Sequence, residues 1–161
     1  MTRQILKNIR TEILRSPGIQ SCLINPNPRG EIIAPAVFLE IASYGIGDDP
    51  ATGELSLIAN VEARVVVDST IDDAAIADRA SEIVCQSLAC EIANIAHLNS
   101  FNCEISPGKI SGITRDFFKP EFDVYVCWLV EWNHEFHRGV SVFDEIGVPP
   151  HILHINGEEI E

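Results

Sequence analysis

The sequence predicts an α+β fold, a single domain built on a mainly antiparallel sheet of about four strands with two helices packed on one face. Three observations lead there. From Phe122 to Phe136 the chain alternates strictly: Val124, Val126, Trp128, Val130, Trp132, His134 and Phe136 share one side, while Tyr125, Cys127, Leu129, Glu131, Asn133, Glu135 and His137 share the other. Strand side chains repeat with period two, so this is a long strand with one heavily apolar face. The segment Glu54–Val67 repeats the pattern, with Leu55, Leu57, Ala59, Val61, Ala63, Val65 and Val67 on one face and Glu54, Ser56, Asn60, Glu62 and Arg64 on the other. Between the two runs lies a stretch of helical periodicity, which supplies a cover for the apolar faces.

The elements follow in order. Ile5, Ile9 and Ile13 recur at helical spacing, with Leu6 and Leu14 beside them, Thr2 as the N-cap and Ser16-Pro17-Gly18 as the stop. Asn25 to Gly30 is rich in turn residues and reads as a loop. Glu31–Tyr44 is extended, with Val37, Leu39 and Ile41 on one face. Pro35 cannot donate to a ladder, so it belongs at the start of that strand or on an edge. Gly45 to Gly53, containing Asp48-Asp49-Pro50, turns the chain back into Glu54–Val67, so the pair forms an antiparallel hairpin.

A helix is expected from Asp72 to His97, with Asp72 and Asp73 favourably placed in its first turn. Its stripe Ile76, Ala80, Ile83, Val84, Leu88, Ile92 and Ile95 should lie on the sheet. Asn99–Gly112 reads as irregular, Ile113–Phe118 as a short strand, and Lys119-Pro120 as the break before the long one. Residues 1–139 thus make the core domain, and 140–161 an extended tail in which Pro149-Pro150 blocks a helix and His151–Ile155 either adds a short strand or lies along a neighbour. A chain cut after Gly139 is expected to stay folded but to lose assembly.

Composition narrows the function. The 161 residues carry a net charge of −13, from 24 Asp plus Glu against 11 Lys plus Arg. Such a surface repels a phosphate backbone, which argues against specific nucleic-acid binding. No apolar run reaches the roughly 20 residues that span a bilayer, so no membrane partner is expected. The start, MTRQILKNIRTEILR, is charged throughout and lacks an apolar signal core, which points to folding in a cytosol. Cys22, Cys85, Cys90, Cys103 and Cys127 are odd in number and show no CxxC spacing, so they read as reduced, mostly buried small residues.

No catalytic template matches. GxGxxG, GxxxxGK[ST] and GxSxG are absent. His134 and His137 are tempting as metal ligands, but in a strand they point to opposite faces. His134 then reads as a core histidine hydrogen-bonded within the sheet. His151 and His154 sit in a non-helical tail and read as solvated, and Asp48-Asp49 as exposed turn residues. Glu131 and Glu135, sharing a face with Asn133, could form a carboxylate site, yet no matching base or electrophile accompanies them. The expectation is a non-enzymatic protein with no catalytic, cofactor or metal residues.

In arrangement the chain resembles the tail terminator, or tail completion, proteins of long-tailed bacteriophages and prophages. The likeness runs over nearly the whole chain: the short N-terminal helix, the Pro-preceded strand Ala36–Ser43, the hairpin to Glu54–Val67, the alanine-rich helix Asp72–His97 and the ending strand Val124–Phe136. The most similar stretch runs from Trp128-Leu129-Val130-Glu131-Trp132 through Gly139 into the Pro-containing tail. The resemblance implies a small structural protein that assembles in the bacterial host cytoplasm as a six-membered ring on the tail tube of the virion. There it stops tube polymerisation and presents the surface on which the head, through its connector proteins, docks. The partners implied are further copies of itself, the tube protein and those connectors, with the Glu54–Val67 outer face and the Val140–Glu161 tail expected to contribute contacts. Two alternatives stand beside it: a head–tail joining protein, or a cytosolic α+β small-molecule-binding protein or enzyme using Glu131, Glu135 and nearby histidines.

Overall fold

The structure is a computed structural model that describes residues 2–25, 32–69, 80–117 and 125–143, together with the backbone of the strands at 153–155 and 158–160. Its centre is a five-stranded mixed sheet. In chain order, helix α1 (Thr2–Ile13) leads to β1 (Ser21–Ile24), β2 (Ala36–Ile46) and β3 (Leu55–Asp68). Then come helix α2 (Ala80–Ala96), β4 (Lys109–Arg115), β5 (Tyr125–Arg138), β6 (Leu153–Ile155) and β7 (Glu158–Ile160). The sheet order is β1-β2-β3-β5-β4, with β6 and β7 paired in a separate two-stranded sheet.

The two long alternating runs lie side by side. β3 and β5 pair antiparallel in one unbroken register from Leu55↔Arg138 to Asp68↔Tyr125. This sets Val61 opposite Trp132 and Ala63 opposite Val130, small residues against large ones, on the face that both helices cover. Ile5, Leu6, Ile9 and Ile13 of α1 and Cys85, Leu88, Ala89, Ile92 and Ala93 of α2 complete this core. The two helices divide the sheet: α1 rests on β1 and β2, α2 on β3, β4 and β5. A smaller cluster, Ala36, Phe38, Val66 and Cys127 with Ile32 and Tyr125, is buried on the opposite, outer face.

The hairpin β2–β3 forms as the sequence indicates, and Pro35 immediately precedes β2 with its carbonyl accepting from the Gln20 amide at 2.9 Å. One irregularity escapes a period-two reading. The register shifts between Ile41 and Ser43, so Ala42 is extra. The shift turns Ser43 outward, opposite Asn60, and Tyr44 inward, where its ring meets Phe136 edge-on at 6.3 Å between centroids. The Tyr44 hydroxyl then lies 2.9 Å from Thr2 Oγ1. Thr2 is thus the first residue of α1, and its hydroxyl is engaged with the sheet.

Several expectations are corrected. β1 was not anticipated; its four residues are too few to show a period, and it is held as a parallel edge strand on β2. The sheet accordingly has five strands. β4 starts at Lys109, within the stretch read as irregular, because a shift at Ser111 breaks its alternation. The buried stripe of α2 is Ser81, Cys85, Leu88, Ala89, Ile92, Ala93 and Ala96, whereas Ile83 and Val84 are exposed. The buried residues fall on one arc of the helix at about 100° per residue, and Ile83 lies on the opposite side of it. The loop at 26–31, the helix start at Asp72 with Ile76, the Lys119-Pro120 break and residues 122–124 of the long strand lie outside the described residues.

The chain leaves β5 at Gly139, whose φ of 134° few other residues adopt, and the Val142 amide then donates to the Thr52 carbonyl at 2.8 Å. Every strand of the five-stranded sheet precedes this point. A chain ending at Gly139 is therefore expected to lose about 1 kcal/mol, roughly 2–4 °C of melting temperature. Calorimetry that showed a collapse of the melting transition would instead make the tail part of the core.

Candidate functional site

Two polar arrangements stand out, one inside the sheet and one on it. Inside, Trp132 and His134 are two residues apart on β5, so both enter the core, where each is almost wholly buried. Trp132 Nε1 donates to His134 Nε2 at 2.9 Å, and His134 Nδ1 lies 2.8 Å from the Ser106 carbonyl. An indole nitrogen can only donate, so Nε2 must accept, and the proton resides on Nδ1 and is given to Ser106. Ser106 in turn clasps β5 twice more: its amide donates to the Glu135 carbonyl and its hydroxyl accepts from the Glu135 amide, both at 2.7 Å. Phe101 packs edge-on against the imidazole.

Burial pushes the His134 pKa below its ordinary 6.5, against an upward pull from the Ser106 carbonyl. Protonation would also set two N–H groups against each other at Trp132. This is a structural histidine, as the alternation indicates, and His137 points to the other face and is exposed. His151 and the side chain of His154 lie outside the described residues. Among the described residues no group of three or more His, Cys, Asp or Glu could hold a metal ion.

On the outer face the register places Glu40, Glu62 and Glu131 in one row across β2, β3 and β5. Like charges directly opposite repel. Arg64, on the same face, relieves the row: it is hydrogen-bonded to Glu40, to Glu62 at 2.6 Å and, through Nε, to Asp116 at 3.1 Å. Partial burial opposes the Arg64 charge, but the Glu40 and Asp116 hydrogen bonds and the charges of Glu62 and Glu40 outweigh it and raise its pKa. The next row is Ser43, Asn60, Asn133 and Lys109, with Asn60 donating to the Ser43 hydroxyl at 2.9 Å. Glu131 and Glu135 therefore do share a face, but their surroundings differ. Glu131 lies close above Gly112, while Glu135 accepts from the buried Ser56 hydroxyl at 2.6 Å. Asp49 caps its own turn through the Ala51 amide.

Past the start of β4, beside the Ser106 clasp, Glu54, Glu104, Glu135 and His137 line an open groove of about 510 Å3. Nearby the β2–β3 hairpin and the chain after β5 expose Tyr44, Ile46, Leu55, Val140, Val142 and Phe143. The Thr52–Val142 bond holds the two segments together, so these side chains form an apolar end to the sheet. Sequence reasoning marked Arg64 as wet but missed its partners, because Asp116 reaches it from beyond β4. The Trp132–His134 pair was legible in the shared face.

The cysteines sort by burial. Cys22, Cys85 and Cys127 are buried, Cys103 is half-buried and Cys90 is exposed. Burial pushes the thiols of Cys22 and Cys85 up to about 12, leaving them protonated and inert at neutral pH.

A scan against protein-family models finds no match for this chain, and a search of the curated proteins finds none either.

Two outcomes test these arrangements. Because His134 is held neutral, its contribution is fully present above pH 6.5 and is lost as the pH falls below it, where the unfolded chain takes up a proton that the fold refuses. Thermal melting of the protein should begin to decline below pH 6.5, and His134→Gln should remove that early part of the decline. Trp132→Phe should cost about 1–3 kcal/mol in urea unfolding by orphaning Nε2, and should raise the His134 pKa in an NMR titration.

Arg64→Ala leaves the carboxylate row unrelieved. It should destabilise by about 2 kcal/mol, less than the roughly 3–5 of a fully buried pair because water reaches the cluster, and the loss should shrink in high salt.

Proposed function

We propose that this protein is a tail terminator: a ring-forming structural protein, acting without catalysis, that caps the tail tube of a long-tailed phage or prophage, halts its polymerisation and offers the head-docking surface. The observation that carries this reading is the outer sheet face. Among the described residues both helices lie on the other face, and this one carries the row Glu40, Glu62, Glu131 with Asp116 around Arg64. A sheet face of this character suits the wall of a passage through which DNA moves without adhering, since a negative surface repels phosphate.

The apolar end formed by the hairpin and the chain after β5 supports the same reading from another side. Ile46, Val140 and Phe143 are each more than two-thirds exposed there. A monomer gains nothing from such a patch, whereas a subunit stacked on a tube end buries it. On this reading the virion tail is where the protein resides, and the contacts are to copies of itself, to the tube protein and to the head connector proteins.

The test is to add the protein to polymerising tube protein and measure tube lengths by electron microscopy. Short tubes capped by rings are expected. Tubes that keep lengthening, with bare ends, would sink the terminator reading and turn attention to head–tail joining. Charged substitutions at Ile46 and Phe143, which lie outside the core, should abolish capping while leaving the melting temperature within about 2–4 °C.

A further inference from the structure

α1 carries a feature at odds with a chain of net charge −13. Its exposed face presents Arg3, Lys7 and Arg10 at intervals of four and three residues, in line with Leu14. Among the described residues none of these three cations makes an ion pair, whereas Arg15, Arg64 and Arg115 each do. Lys7, Arg10, Thr11 and Leu14 line a shallow recess of about 390 Å3, so the stripe is a concave, receptive surface. The groove of Glu54, Glu104, Glu135 and His137, past the start of β4, is by contrast acidic.

Within one chain the stripe is turned away from this groove. α1 rests on the β1–β2 side of the sheet, and the groove lies at the end of β5, past the start of β4. The segment leading into the groove touches α1 through Asn8, whose amide donates to the Phe101 carbonyl at 2.9 Å. At 3.6 residues per turn, Asn8 is about 130° around the helix from the centre of the Arg3–Lys7–Arg10 stripe, so the stripe faces away from that segment.

We infer that the α1 stripe docks into the acidic groove of a second copy of this chain, as a head-to-tail contact. Two unlike patches on one subunit are what a heterologous interface requires, and repetition of such a contact closes a ring when the rotation permits. The opposite charges orient the approach, and the Leu14 side chain adds apolar contact at the recess. The inference rests on the ring part of the proposed function and names its subunit contact.

The experiment uses the full chain. Equal amounts of unlabelled and 15N-labelled protein are mixed at the highest soluble concentration and treated with a carbodiimide, which joins an amine to a carboxylate without a spacer. Mixed-isotope peptides linking Lys7 to Glu104 or Glu54 are expected. The paired variants Lys7→Glu/Arg10→Glu and Glu54→Lys/Glu104→Lys should each weaken self-association about tenfold or more in sedimentation at low salt. Mixing the two variants should restore it, because each reversed surface then finds its complement. Melting curves check that both variants fold.

A protein that stays monomeric with no mixed-isotope link, or variants that fail to rescue one another, would overturn the contact. If the α1 reversal leaves association intact but abolishes weak low-salt binding to a DNA duplex, the stripe faces an anion and the inference fails. The tube-length assay remains independent: capped tubes without this cross-link would reject the contact alone, and the cross-link with uncapped tubes would reject the terminator reading alone.

Discussion

The pairing of β3 with β5 is the constraint on which the rest of the molecule depends. Fourteen residues of each strand match without a shift, so the inner and outer identity of every side chain on both strands is fixed together. A slip of one residue would carry Trp132 and His134 to the outer face and bring Glu131 and Asn133 into the core, at a cost no local rearrangement could offset. Both helices, the outer carboxylate row and the Ser106 clasp are referred to this one register. The two bulges, at Ala42 and Ser111, fall on the neighbours β2 and β4, where the pattern can be adjusted without disturbing the centre.

Much of this was legible in the sequence, and for a physical reason. Trp132, His134, Val61 and Val65 are read correctly because a long antiparallel strand with one covered face imposes the simplest pattern a chain can carry. The failures have causes of the same kind. Ile83 and Val84 were assigned to the sheet because they are apolar, but at about 100° per residue they fall outside the arc of Ser81, Cys85, Leu88, Ala89 and Ile92 that faces it. Tyr44 was beyond reach because the Ala42 bulge inverts the alternation after it. The partners of Arg64 could not be foreseen, since Glu40, Glu62 and Asp116 come from three separate segments and meet only through register.

The two polar systems do different work. The Trp132–His134–Ser106 chain is closed, each donor matched to an acceptor, and it fixes the loop after α2 to the end of β5. The outer row is partly open to water and gathers its carboxylates around the Arg64 guanidinium. A closed buried network makes one arrangement unique, while an open charged face shapes the field that an approaching molecule meets first.

The distribution of sulfur has a practical side. Cys90 stands exposed on α2, on a side of the molecule apart from the sheet's outer face and its apolar end, while Cys22 and Cys85 are sealed in the core as protonated thiols. With the half-buried Cys103 replaced by Ser, Cys90 becomes an attachment point for a single fluorophore on the folded protein. One dye per subunit turns the stepwise bleaching of a single particle into a direct count of the chains it contains.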